Sequence, residues 1–183
     1  MRFNPIDHLI CFNKPKYLSG KSAWVEHIPF AFWIISSLRP KVFVELGTHY
    51  GDSYFAFCQA VAELNLITSC YAVDTWLGDE HAGIYGTEVL KSLRQYHDSE
   101  YGAFSNLIQT TFDQAVSYFQ NGSIDLLNID GLHTYEAVRH DFETWLPKMS
   151  QSGIVLFHDT NVRERNFGVW RFWSEIRDKY PNH

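Results

Sequence analysis

Apolar residues recur at Trp24, Val25, Ile28, Phe32, Ile35 and Leu38, close to the repeat of a helix, and predict one over residues 22–38 with a kink at Pro29. Next, KVFVEL is a short β-branched run that stops at a glycine, and SYFAFCQAVAEL returns apolar groups at Tyr54, Phe57, Val61 and Leu64. That is strand, turn, helix. CYAVD at 70–74, NLIQT at 106–110, IDLLNID at 124–130 and GIVLFHD at 153–159 read as further strands. Helices are expected over about 87–98, over 135–149, where Tyr135, Val138, Phe142, Trp145, Leu146 and Met149 share a face, and over 167–180. Strands alternating with helices imply right-handed crossovers and a parallel sheet, whose ligands bind beyond the carboxyl ends of the strands. The least regular segment, WLGDEHAGIYGTE at 76–88, reads as a long functional loop above that crevice.

Length and composition narrow the function classes. The 183 residues, 45% hydrophobic and 20% charged, suit one soluble domain over 1–183, with 1–39 an N-terminal helical extension and 40–183 the α/β core. A net charge of −6 argues against a surface that neutralises nucleic-acid phosphates. Cys11, Cys58 and Cys70 have neither metal-site spacing nor an even count, which fits free thiols in a reducing cytoplasm. MRFNPIDHLI lacks the apolar stretch of a signal peptide, and PFAFWIISSL is too short to span a bilayer, so no membrane span is expected.

The turn after the first strand, Glu45 to Ser53, has the spacing ExGxxxGxS. Gly47 can take a backbone conformation closed to other residues, and Gly51 permits close approach at the helix start. The turn is neither a Walker A loop nor a GxGxxG fingerprint, and its glycines can equally serve only to make the turn. Asp74, ending the second strand, can accept hydrogen bonds from a ribose diol or act as a plain cap.

With VELGTHYGDS, AVDTW and IDGLHTYEAVRHDFETWLPKMSQSGIVLFHDT, the chain resembles a class I S-adenosylmethionine-dependent methyltransferase over roughly residues 40–180, and within that class the O-methyltransferases related to macrolide-sugar and rhamnosyl enzymes. The resemblance implies a Rossmann-like doubly wound sheet, and that the usual C-terminal antiparallel strand pair lies outside this chain. It also implies that Glu45, Gly47, Thr48, Gly51 and Ser53 surround the methionine end of the cofactor. Asp74 would hold the ribose, Thr75, Trp76, Phe112 and Asp113 would lie near the adenine, with Trp76 able to stack on it, and Asp130 would close the cofactor site. Core packing for the aromatics and capping for Asp113 are the structural alternatives.

Two strand ends, IDGLH and FHD, bring Asp130, His133, His158 and Asp159 towards one pocket. Methyl transfer to an alcohol needs a route for its proton, and a histidine can take it near neutral pH, which makes His133 the candidate base. Asp130, His158 and Asp159 are candidate ligands for a divalent metal that would polarise the hydroxyl. Related sugar methyltransferases carry two adjacent carboxylates and magnesium at the second strand end, whereas His158-Asp159 departs towards manganese, iron or zinc. Each of the four could instead cap a turn or sit as a bonded core residue. His81 is a candidate substrate residue, Asn161, Arg163 and Arg165 could contact an acceptor, and Asp141 reads as a helix-surface residue or part of a structural pair.

The expected function is S-adenosylmethionine-dependent O-methylation of a sugar or glycan hydroxyl, with possible help from Mg2+ or another divalent ion. A glycosyltransferase domain in a longer protein and a homo-oligomer are possible partners. A binding module without turnover and a metal-dependent hydrolase are the alternatives.

Overall fold

The computed structural model describes residues 4–21 and 23–180. The first three residues of MRFNPIDHLI, Ser22 at the expected start of the first helix, and the terminal Pro181-Asn182-His183 lie outside them.

Five strands form one parallel sheet: β1 (Val42–Leu46), β2 (Ser69–Asp74), β5 (Ser105–Gln109), β6 (Ile124–Ile129) and β7 (Met149–Phe157), in the order β5-β2-β1-β6-β7. The chain runs outward from β1 through β2 to β5, then crosses back to place β6 on the other side of β1. That reversal opens a crevice between the ends of β1 and β6, where such sheets bind ligands. A two-stranded antiparallel hairpin, β3 (Gly78–Asp79) with β4 (Gly83–Ile84), gives the expected long loop a structure of its own.

Side chains alternate across the sheet. Phe43 and Leu126 enter a core with α1 (Ile28–Leu38), α2 (Asp52–Glu63) and α3 (Thr87–Glu100). Val44, Leu46, Leu127 and Ile129 point the other way, into a core closed by α4 (Phe112–Ala115), α5 (Tyr135–Trp145) and α6 (Val169–Ile176). Burial on both faces explains why β1 and β6 are almost continuously apolar.

Three expected boundaries move for physical reasons. Instead of one kinked helix over 22–38, a 3₁₀ turn at Ala23–His27 leads into α1, with Pro29 in the first helical turn, where its missing N–H costs no bond. α5 ends at Trp145 because Pro147 follows in a 3₁₀ turn, so Met149 starts β7 rather than closing a helix face. The last helix is shorter than expected, ending at Ile176. Among the described residues β7 pairs only with β6, and no helix is long and apolar enough to cross a membrane. The three cysteines are buried and unpaired as disulfides.

Candidate active site

The strand ends continue their ladders one residue further, and this brings the motifs together. Gly47 N–H donates to Val73 O at 3.0 Å, Asp130 N–H to Leu46 O at 2.8 Å, and His158 N–H to Ile129 O at 3.2 Å. Gly47 has φ 87°, and a Cβ there would overlap the backbone oxygen of Asp130. Only glycine lets the β1 turn lie against the β6 end.

Asp74 fixes that turn. One carboxylate oxygen accepts the backbone N–H groups of Thr48 and His49, both at 2.9 Å, and the other accepts that of Trp76 at 2.7 Å. Asp74 is thus a cap and also part of the wall of a cavity of about 230 Å³, together with Gly47, Thr75, Phe112, Asp130 and Tyr85. The hairpin residues Gly78, Asp79 and Ala82 cover it from above.

Glu45 and Ser53 sit behind the turn. Glu45 is fully buried, with Ser53 Oγ donating to it at 3.1 Å and Asn128 Nδ2 at 2.9 Å. Burial raises its carboxyl to about pH 8 against the pull of those two bonds, and the charge of Asp130 adds to the rise. Glu45 therefore holds its proton to a higher pH than an ordinary carboxyl does. Thr48 is buried as well, and Gly51, at φ 86°, faces Leu93 and Phe55 instead of the cavity.

Two expectations at this end are corrected. Trp76 is no stacking platform: its ring is wholly buried in the core, and its indole N–H donates to His49 O at 3.1 Å. Asp113 turns away from Phe112 to the surface, where it pairs with His140 at 2.7 Å. Asp141 is also no surface residue; it is buried, and burial pushes its carboxyl up to about 7.

The four residues of the two later motifs do converge, as an alternating ring of carboxylates and imidazoles. His133 Nε2 lies 3.2 Å from Asp130 Oδ1 and 3.3 Å from Asp159 Oδ2. His158 Nδ1 lies 3.2 Å from Asp130 Oδ1 and 3.2 Å from Asp159 Oδ1. Burial works against charge here, yet the pairing wins: His158 is raised to about 10 by Asp130 and Asp159, and Asp130 is held well below the usual carboxylate range by His158 and His133. Asp159 reaches the ring from a left-handed backbone, φ 56°.

Residues without any motif complete the site. Trp24 Nε1–H donates to Asp130 Oδ2 at 2.7 Å, and its ring stacks on His158 at 5.3 Å and 18°. His27 meets His158 edge-on at 5.7 Å. Phe167 lies against both His133, at 4.7 Å and 12°, and His81, at 4.4 Å and 22°, and the two imidazoles are themselves 5.8 Å apart, so the three rings form a triangular cluster. His81 therefore sits in that cluster, its Nδ1 accepting the His133 backbone N–H at 3.3 Å, while Arg165 donates to the His81 carbonyl at 2.9 Å. A second cavity of about 460 Å³ opens on the far side of the ring, between the N-terminal segment and the end of β7. His158 and Asp159 line it, whereas Asp130 lines the first. The ring thus gives one residue to the first cavity and two to the second, while His133 lines neither.

A family model described as a methyltransferase domain matches residues 44–160, which include every one of these strand-end motifs. The uncharacterized protein y4gI of Sinorhizobium fredii is 51% identical over 170 residues, covering 93% of this chain, and the chain spans 19% of that relative's length. The fold is similar to that of the methyltransferase PaMTH1 of Podospora anserina, solved with S-adenosylhomocysteine, with a TM-score of 0.61 at 15% identity over 87% of this chain and 69% of that one. It is similar also to the O-methyltransferase TomG of Streptomyces achromogenes, solved with S-adenosylmethionine, with a TM-score of 0.63 at 11% identity over 88% of this chain and 72% of that one. The chain belongs to methyltransferase family 24, among the class I S-adenosylmethionine-dependent methyltransferases.

Proposed function

We propose that this chain transfers a methyl group from S-adenosylmethionine to a hydroxyl of a sugar or glycan. The observation that carries the reading is the Asp130–His133–His158–Asp159 cluster, which gives Asp130 to the first cavity and His158 and Asp159 to the second. The first, with the glycine turn and Asp74 in its wall, suits a nucleoside: Asp74 Oδ1, with one backbone N–H already bound, retains a lone pair for a ribose hydroxyl, and Phe112 supplies an apolar face. S-adenosylmethionine bound there supplies an activated methyl carbon. Carboxylates around the crevice suit its sulfonium charge.

An acceptor oxygen that reaches past the cluster from the second cavity meets that carbon in line and in direct contact. As the new C–O bond forms, the C–S bond breaks, its electron pair stays on sulfur, and the hydroxyl proton passes through Asp159, which lines the second cavity, to His133 Nε2. Asp130 and Asp159, each within 3.3 Å of that nitrogen, orient the imidazole and stabilise its charged form. Phe167 fixes the plane of the ring by stacking.

A second reading is favoured by the donor set itself. Asp130, His133 and His158 each present a ligand atom, all within 4.8 Å of one another. Two imidazoles fit manganese, iron or zinc better than magnesium. Such an ion, held with Asp159 beside it, would act as a Lewis acid towards the acceptor oxygen. His133 Nε2 cannot bind an ion and take the proton at once, so the two readings exclude each other at that atom.

Calorimetry with S-adenosylmethionine tests the cofactor assignment: micromolar binding is expected, weakened in Asp74→Ala and retained in His133→Ala. Transfer of labelled methyl to an oligosaccharide panel should be lost in His133→Ala. A folded chain that binds no S-adenosylmethionine would end the proposal. The role of the longer protein that a relative such as y4gI represents, including a glycosyltransferase partner, belongs to the same proposal.

A further inference from the structure

The β3–β4 hairpin covers the first cavity with Gly78, Asp79 and Ala82, yet it packs chiefly on itself. A Cβ on Gly78 would overlap the carbonyl oxygen of Gly83, so the two strands close tightly, and Asp79 Oδ1 accepts the N–H groups of His81 and Ala82 across the tip, both at 2.7 Å. The hairpin is thus stiff in itself. Its outer side is bare, with Ile84 85% and Leu77 57% exposed. At its roots stand Trp76, buried in the core, and α3, which begins at Thr87.

Among the described residues, the hydrogen bonds and ring contacts from 78–84 to the rest of the chain pass through His81. Its Nδ1 accepts the His133 backbone N–H at 3.3 Å, its ring lies against Phe167 at 4.4 Å, and its carbonyl accepts from Arg165 at 2.9 Å. Arg165 and Phe167 belong to the segment that leaves β7 along the second cavity, whose wall includes Thr160, Asn161 and Val162. Arg165 and Asn166 both have left-handed backbones, with φ 52° and 62°, a conformation that persists where the surroundings hold it. One histidine thus fastens the hairpin to a strained segment on the other side of the site.

We propose that the hairpin is the lid of the cofactor cavity and His81 its latch, so that each entry or exit of cofactor also frees the Arg165–Phe167 segment beside the second cavity. The inference rests on the methyltransferase reading above and adds a kinetic gate to it. With the hairpin in place the first cavity has about 230 Å³. A pocket for a ligand the size of a nucleoside joined to an amino acid spans roughly 300 Å³ or more. The missing room comes from the wall that is tied at a single residue. Opening breaks the His81 contacts together, and the Arg165–Asn166 backbone then relaxes. Exchange of the cofactor and loosening of the acceptor side are one motion.

Stopped-flow binding of S-adenosylhomocysteine to the whole chain is the test. His81→Ala removes the ring and its acceptor, and Arg165→Ala removes the bond to the carbonyl. In both, association and dissociation are expected to speed up together, by about tenfold in the first and severalfold in the second, with Kd shifting by less than about threefold. Amide exchange of the unliganded chain should rise in His81→Ala at 78–84 and at 163–167 alike. His81→Phe, which keeps a ring against Phe167 and the carbonyl for Arg165, should fall between the parent and His81→Ala. Unchanged rates in His81→Ala, dissociation raised without association, or exchange raised at 78–84 alone would each overturn the inference. If the parent chain binds no S-adenosylhomocysteine, the cofactor assignment falls, and exchange raised at both segments still upholds the latch.

Discussion

The indole N–H of Trp24 donates to Oδ2 of Asp130 at 2.7 Å, joining side chains 106 positions apart. Because Oδ1 of the same carboxylate faces His133 and His158, the tryptophan sets the direction in which Asp130 presents its charge. Trp24→Phe keeps the ring and removes the donor. A hydrogen bond to a buried charge contributes about 1.5–3 kcal/mol, and urea unfolding of the variant should show a loss in that range. Affinity for S-adenosylhomocysteine should stay close to that of the parent.

Gly47→Ala forces a Cβ into the Asp130 carbonyl on a left-handed backbone, so at least about 2 kcal/mol of stability should be lost, together with cofactor binding. Gly83→Ala is the control: φ is also positive at 82°, but the space is open, and about 1 kcal/mol is expected. Similar losses at both sites in thermal unfolding would refute the close-approach argument.

Glu45 links the fold to pH. Its carboxyl titrates from 4.5 in an unperturbed chain to about 8 when buried, so between these values the folded state holds a proton that the unfolded state has released. Stability on this account falls as pH rises through that window, by an amount on the order of a few kcal/mol, and the penalty is absent below it. Glu45→Gln keeps the shape and an acceptor for Asn128 without the titration. Melting temperatures from pH 5 to 9 should show the variant gaining on the parent as pH rises; parallel curves would remove Glu45 from the pH response.

The three-ring cluster of His81, Phe167 and His133 pins the β3–β4 hairpin over the first cavity. Phe167→Ala should speed amide exchange at residues 78–84 by about tenfold or more, while Phe167→Tyr should not. Unchanged exchange in the alanine variant would show that the hairpin is held by other contacts.

Mn2+ or Zn2+ should raise the melting temperature by several degrees at concentrations far above the dissociation constant, Mg2+ should not, and His158→Ala should abolish the effect. Full methyl transfer after chelation would leave His133 as the base. Transfer that needs the ion restored assigns His133 to the metal.

Much of this was legible in the sequence, for identifiable reasons. β1, β2 and β6 are short apolar runs closed by Gly47, Asp74 and Asp130, and their polar ends mark the crevice because a parallel sheet puts its strand termini there. The ring residues could be found since each lies at or just past a strand end. β7 starts earlier than its apolar stretch, because Met149 pairs with Ile124 and residues 150–153 are taken up by a register shift before pairing resumes between Leu126 and Ile154. Trp76 misled because an aromatic beside a ligand motif looks the same in sequence whether it faces the crevice or the core. Trp24, His27 and Phe167 carried no signal, since nothing in a periodic apolar segment tells which ring will reach a distant carboxylate.

Gly47 and Asp130 touch through their backbones, with no side chain between them to act as a cushion. On the proposed reading, the nucleoside cavity and the proton-accepting cluster meet at this hard contact. A change that retunes the grip on one ligand would then alter the posture of the group that serves the other, so the two affinities would not be adjustable separately at that junction.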